Sequence, residues 1–124
     1  LAPGGVIAVQ SGSAGLHGHL MADIHATLQA VFPRVAAYTA FIPSFMDMYG
    51  FHLAGGHDLA WPKAATAAAR LRERDLTSLR WLGPEFLATL RSLPVYLQAR
   101  LTGEGRVLTD DRPFGPPRGE ATFF

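Results

Sequence analysis

The 124-residue sequence contains no cysteine. This absence excludes disulfides, thiolate catalysis and cysteine-ligated metal centres, but it leaves the cellular compartment open. Charge is also sparse, because charged residues make up 17% of the chain and the formal net charge is +1. The arginines alternate with acidic residues and form no basic stripe that could follow a phosphate backbone, so we expect no nucleic-acid partner.

The sequence also lacks a long uninterrupted hydrophobic run. Residues 1–22 carry no Asp, Glu, Lys or Arg, but Pro3 and several glycines interrupt them and no basic segment precedes them. Neither a signal peptide nor a membrane span fits this pattern, and we expect a cytoplasmic protein. The chain begins at Leu1 without an initiator Met, directly on a Pro-Gly-Gly turn, and we expect the protein to extend further upstream.

The hydrophobic pattern of the first half predicts an α/β fold. The apolar run Val6–Val9 predicts a central strand over residues 5–10 that is buried on both faces of a parallel sheet. Apolar residues at helical spacing predict an amphipathic helix over residues 15–32, which Pro33 ends. Strands are predicted over residues 35–42 and 49–54, an order typical of the closing edge of an α/β sheet.

The second half is predicted to be helical. Ala, Leu, Arg and Glu favour a helix over residues 64–74, and prolines favour shorter helices over 85–92 and from Pro94 to Arg100. The glycine- and proline-rich tail is predicted to be a loop. Asp110 and Asp111 could belong to a site, but a turn or cap role is favoured. We therefore divide the chain into residues 1–60, the last strands and helix of a catalytic domain, and residues 61–124, a helical extension with a loop tail.

Two polar segments invite a chemical interpretation that their spacing does not favour. Residues 11–13, Ser-Gly-Ser, lie between a predicted strand and helix, but they lack the spacing of phosphate-binding loops and are predicted to be a loop and helix cap. Nothing around Ser11 or Ser44 marks a hydrolase triad. His17, His19 and His25 lack a complete ligand set for zinc and are predicted to be exposed or capping, so no metal is expected.

The segment 40–51 combines a strand end, a proline turn and several aromatic residues. Phe45 and Tyr49 are predicted to lie at an end of the sheet, where aromatic rings could pack on the methylenes of an aliphatic amine and attract its ammonium group. The alternative is that both rings belong to the core. Asp47, the carboxylate of this turn, could anchor the far ammonium of a diamine or could simply be exposed to solvent.

Several motifs together resemble the spermidine synthase family of polyamine aminopropyltransferases. A strand ends in Gln10, a helix leads to Phe32-Pro33-Arg34-Val35, and a turn reads Ile42-Pro43-Ser44-Phe45. The next strand reads Tyr49-Gly50-Phe51 and continues with small residues. In the second half, Arg80-Trp81-Leu82-Gly83-Pro84-Glu85 resembles the family's element before a helix, and Thr109-Asp110-Asp111-Arg112-Pro113 is similar to the T-D-D-x-P sequence of its longer bacterial members.

The resemblance implies the carboxy-terminal part of a Rossmann-like, methyltransferase-type domain. Such enzymes use decarboxylated S-adenosylmethionine as co-substrate and transfer its aminopropyl group to a small-molecule polyamine such as putrescine, without a resident cofactor. The family's catalytic aspartate and nucleoside-binding residues precede the matching segment, so the resemblance implies no catalytic residue here and an inactive fragment. It assigns the amine pocket to Gln10, to Phe45, where many members have Tyr, and to Tyr49, where many have Trp.

Two other interpretations remain open. The chain could belong to a methyltransferase relative with the same scaffold, since fold does not determine function. It could also be a non-catalytic homologue or interaction module, with Phe45, Met46, Met48 and Tyr49 forming a partner-binding patch. An isolated part of a sheet exposes an edge strand, so we expect a homo-oligomer that could form through that edge.

Overall fold

The computed structural model describes residues 1–15 and 18–113, which form a mixed α/β structure. A 3₁₀ turn, Pro43–Phe45, joins the second and third strands. The strands and helices are, in chain order, β1 (Val6–Ser13), α1 (Gly18–Val31), β2 (Arg34–Ile42), β3 (Asp47–Gly55), α2 (Ala64–Glu73), α3 (Pro84–Thr89) and α4 (Val95–Gly103).

The three strands form one sheet in the order β1-β3-β2, and β3 is antiparallel to both neighbours. β2 and β3 make a long hairpin whose register runs from Ile42 opposite Asp47 to Arg34 opposite Gly55. Pro43 starts the turn, and Met46 ends it with a left-handed φ of 50° while its N–H donates to the Pro43 carbonyl at 3.2 Å. The predicted proline turn between two strands is confirmed.

The prediction for β1 as a buried central strand with parallel neighbours is wrong for the part of the chain that the structure describes. β1 lies at an edge of the sheet, its neighbour β3 is antiparallel, and Val6 and Ala8 are exposed. The apolar run indicated a strand correctly, but a run of this kind carries no information on the direction of its neighbours.

β1 is also longer than predicted, since residues 11–13 belong to it and do not form the predicted loop and cap. The register shifts between Gln10 and Ser13, where Ser11 and Gly12 face the single residue Gly50 of β3. This is a β-bulge, and Gly12 adopts a left-handed φ of 75° that is strained for other residues.

Helix α1 covers one face of the sheet. The predicted apolar positions Leu20, Ile24 and Leu28 are half-buried, whereas Val31 at the end of the helix is exposed and Leu16 lies outside the described residues. Met21 is fully buried against Gly50, where an added Cβ would lie 2.5 Å from the Met21 sulfur. The core that includes Met21 is formed by Ala14, Met21, Ala37 and Leu97, with Leu93 and Leu101 packed against it.

The segment after α4 is attached to α1. The buried carboxylate of Asp23 accepts the backbone N–H of Arg106 at 2.7 Å and lies 3.4 Å from its guanidinium nitrogen. Thr27 accepts the N–H of Leu108 at 2.8 Å through its hydroxyl oxygen. Close by, Thr109 and Arg112 pair across a tight turn, which confirms the turn predicted for the two aspartates between them.

The chain divides into two compact units. One comprises Leu1–Leu59 together with residues 93–113, and the other is Ala60–Ser92. The second unit contains α2 and α3, close to their predicted positions, and the Trp61 indole N–H donates to the Leu87 carbonyl there at 2.6 Å. Among the described residues, no helix combines the length and hydrophobicity needed to cross a bilayer.

Candidate functional site

The two faces of the sheet have different surroundings. Residues opposite each other in an antiparallel pair share a face, and so do residues two apart along a strand. Gly50 and His52 of β3 therefore lie on the face covered by α1, where they meet Met21 and His25. Asp47, Tyr49 and Phe51 lie on the other side, which we call the open face.

The structure brings the predicted site residues together on or beside the open face. Gln10 pairs with Phe51 in the register of β1 and β3, and its side chain is exposed. Tyr49 is half-buried on the same face, two residues along from Phe51. Phe45 extends from the 3₁₀ turn and packs against Tyr49 with the ring centroids 4.8 Å apart. A phenol and a benzene ring thus lie together at one end of this face, and the amide of Gln10 is on the same face opposite Phe51.

Asp47 lies at the start of β3, on the same face as Tyr49, and is half-buried. Its carboxylate accepts the N–H of Met48 at 2.7 Å. Gly15 lies beside this carboxylate, and a Cβ built on Gly15 would be 3.9 Å from the same oxygen. Because Gly15 has no side chain, it leaves this side of the carboxylate uncovered. Asp47 therefore supplies a carboxylate at this end of the sheet.

A second pair of aromatic rings continues the open face. Tyr38 of β2 and Phe51 of β3 are register partners, and their rings stack with the centroids 5.2 Å apart. Desolvation by burial raises the pKa of Tyr38 above its ordinary value, so its phenol stays neutral at physiological pH. Tyr38 and Phe51 were not among the predicted site residues, although the alternation of side chains along the strand places Phe51 on the same face as Tyr49.

The covered face contains a polar cluster behind the site. The hydroxyl of Ser11 lies 2.5 Å from Nδ1 of His52, and both residues are fully buried. The ring of His25 on α1 packs against the ring of His52 with the centroids 5.1 Å apart. The prediction that His25 would be exposed or capping is wrong, because the helix turns this ring towards the sheet.

His19, another of the predicted histidines, pairs with a carboxylate outside this cluster. His19 lies 3.5 Å from a carboxylate oxygen of Glu104, and His17 lies outside the described residues. Within residues 1–15 and 18–113, no three His, Asp or Glu side chains are grouped as metal ligands would be.

Several known proteins that are similar to this chain carry the names of polyamine-synthesising enzymes. The spermine/spermidine synthase domain matches residues 1–61. Thermospermine synthase ACAULIS5 of Arabidopsis thaliana is 29% identical over 113 residues, which cover 90% of this chain and 33% of that protein. A polyamine aminopropyltransferase of Sulfolobus acidocaldarius is 30% identical over 120 residues, covering 94% of this chain and 39% of that protein. A polyamine aminopropyltransferase of Korarchaeum cryptofilum is 31% identical over 113 residues, which cover 89% of this chain and 35% of that protein.

These similarities confirm the resemblance found in the motifs. Residues 1–61 belong to the spermine/spermidine synthase domain family, and the similarity to polyamine aminopropyltransferases extends over most of the remaining chain. The chain spans between 33% and 39% of the length of these relatives. The chain therefore corresponds to a little over a third, at most, of each of these proteins.

Proposed function

We propose that this chain is the carboxy-terminal part of a spermidine-synthase-like aminopropyltransferase and provides the amine side of its pocket. The observation that carries the proposal is that Gln10, Asp47 and Tyr49 lie on the same face of the sheet, within the segment that matches the family domain. The substrate would be a small polyamine such as putrescine, and the donor decarboxylated S-adenosylmethionine.

The chemistry of the open face suits an aliphatic amine. The packed rings of Phe45 and Tyr49 offer apolar surface for methylenes and a π-face for an ammonium group. Asp47 can pair with an ammonium group, and the amide oxygen of Gln10 can accept a hydrogen bond from one. Phe45 has no hydroxyl, so any hydrogen bond to the amine at this end comes from its neighbours.

In the proposed reaction, an amine nitrogen attacks the methylene carbon next to the sulfonium. The new C–N bond forms as the C–S bond breaks, its electron pair goes to sulfur, and methylthioadenosine leaves. The nitrogen must first lose a proton to a base, and the resemblance assigns that base to residues preceding the matched segment. The open face contributes by orienting the amine and excluding water from one side of it.

We also propose that the three strands belong to the closing part of a Rossmann-like, methyltransferase-type sheet. β1 and β2 are each antiparallel to β3, so they run in the same direction with a reversed strand between them. α1 connects these two strands over one face, as a crossover helix does. A mostly parallel sheet with one reversed strand is common among α/β proteins.

The 124-residue chain alone is expected to be inactive, because the base and the donor site are assigned elsewhere by the resemblance. The test measures methylthioadenosine release from decarboxylated S-adenosylmethionine with putrescine and longer amines. It uses the longest form of the protein expressed from its gene, with the 124-residue chain assayed in parallel. Amine binding to the isotope-labelled chain is followed by NMR. Tyr49→Ala and Asp47→Asn should each weaken amine binding by about 10-fold, the loss expected for one contact of about 1.4 kcal/mol.

Exposed positions outside the open face provide matched controls. Asp58→Asn removes an exposed carboxylate and Met46→Ala an exposed apolar side chain, and both should leave amine binding unchanged. Methyl transfer from S-adenosylmethionine without methylthioadenosine release would instead support a methyltransferase. An absence of turnover in the longest form would support a non-catalytic homologue. Either result would overturn the proposal. The expected cytoplasmic location and self-association through a sheet edge stay predictions.

A further inference from the structure

The polar cluster of Ser11, His52 and His25 lies where α1 meets the sheet. His52 and Ser11 have no exposed surface, and their side chains join β3 to β1. A neutral imidazole accepts a hydrogen bond through one ring nitrogen, so the Ser11 hydroxyl can donate to Nδ1 when His52 carries its proton on Nε2. Nδ1 of His25 and Nε2 of His52 are buried without a hydrogen-bond partner in the described part of the chain.

The Ser11–His52 contact coincides with the β-bulge of β1. Ser11 is one of the two residues that face Gly50, so its side-chain bond to His52 connects the strands where the backbone ladder is irregular. An added Cβ on the other bulge residue, Gly12, would lie 3.2 Å from the Leu20 side chain of α1. One bulge residue, Ser11, is therefore hydrogen-bonded to β3, and the other, Gly12, packs closely against α1.

The only imidazole that faces His52 from the packed elements described is that of His25. α1 also carries His19, which lies beside Glu104, and Asp23, which pairs with Arg106. β1 contributes no charged residue. On β2, the residue opposite His52 is Ala37, while Arg34 is opposite Gly55 at the strand end. The remaining titratable groups of β2 and β3 lie on the open face, away from His52: Tyr38, Asp47 and Tyr49. Helix α4 carries two titratable groups, Tyr96 and Arg100.

We propose that this cluster is an acid-sensitive contact, which holds α1 on the sheet while both imidazoles are neutral and loosens the helix when one is protonated. A proton on His52 would place a charge in the core where no carboxylate of residues 1–15 and 18–113 faces it, and a second on His25 would add repulsion between neighbouring rings. Ser11 directly follows Gln10, so loosening would also disturb the backbone that positions the open face.

The pH range follows from the direction of the pKa shifts. Burial, and secondarily the charge of His25, lower the pKa of His52 from 6.5 to about 4, and burial lowers that of His25. The unfolded chain therefore binds more protons than the folded chain below pH 6.5, and stability falls as the pH falls towards 4. For His52 alone, the unfolding equilibrium constant should rise about 30-fold between pH 7.5 and 5.

The test measures urea unfolding of the chain at pH 7.5 and pH 5, which lies above the range where most carboxylates titrate. His52→Asn keeps an oxygen that can accept from Ser11 but does not titrate, and His25→Phe keeps an aromatic ring on α1. In both variants, the unfolding equilibrium constant should change less between pH 7.5 and pH 5 than in the unmodified chain. The change should be smallest in His52→Asn. His57→Gln, which removes an exposed histidine, should leave the effect unchanged.

NMR titration of the histidine rings in the unmodified chain gives an independent result, even if His52→Asn fails to fold. The proposal predicts that the His52 ring stays neutral in the folded chain at pH 5 and that its protonation coincides with loss of α1 contacts. A His52 ring that titrates near pH 6.5 while these contacts persist would overturn it. An equal pH effect in His25→Phe and the unmodified chain would also overturn it.

Discussion

Replacement of Asp23 by alanine should release the segment after α4 from α1. Asp23 is 1% exposed and its carboxylate accepts the Arg106 N–H at 2.7 Å, whereas the ion pair with the half-exposed guanidinium is longer, at 3.4 Å. Loss of a charged acceptor from a buried N–H costs about 1.5–3 kcal/mol, and the partly exposed ion pair adds less than about 1 kcal/mol. We therefore expect the segment to lose about 3 kcal/mol of local stability in Asp23→Ala.

Amide hydrogen exchange measures this effect directly. A loss of about 3 kcal/mol corresponds to about 100-fold less protection at Arg106 and Leu108, because exchange follows the local opening equilibrium. Asp23→Asn keeps an oxygen acceptor and loses only the charge, so it should cost about 1 kcal/mol. Asp58→Ala, at an exposed carboxylate, should change nothing. Unchanged protection at Arg106 in Asp23→Ala would refute the reasoning.

Two glycine substitutions test close packing around α1. Gly50→Ala would place a Cβ 2.5 Å from the sulfur of the fully buried Met21, so it should destabilise the chain by about 1–3 kcal/mol in thermal unfolding. A melting temperature equal to that of the unmodified chain would contradict this packing. Gly105→Ala would press a Cβ against the carbonyl oxygen of Ala22, whereas Gly103→Ala meets nothing within 4 Å. Only Gly105→Ala should lower urea stability, and equal effects of the two would argue against the contact.

Local sequence signals predicted most elements correctly. The strand predicted over residues 35–42 spans Arg34–Ile42, and the helix predicted over 64–74 spans Ala64–Glu73. The proline turn before Phe45 also formed as expected. These features depend on apolar spacing, intrinsic propensity and the restricted φ of proline, all of which act within a few residues.

The site was predictable in part. Gln10 and Tyr49 were selected by resemblance to a family, and the register of the sheet then placed them on one face. Their neighbour Tyr38 was missed because its place on that face depends on its pairing with Phe51 across the hairpin. Cross-strand neighbours of this kind depend on the register of the two strands, because a one-residue shift would move every side chain of a strand to the other face.

The sequence by itself determined where strands, helices and turns form, because those preferences are local. Only the tertiary structure decided that Ser11 joins a strand, since its partner His52 is 41 residues away. It also decided that His25 is turned to the sheet and that Asp23 binds a backbone N–H 83 residues away. Such contacts form only when distant segments are brought together, and burial then determines which polar groups need partners.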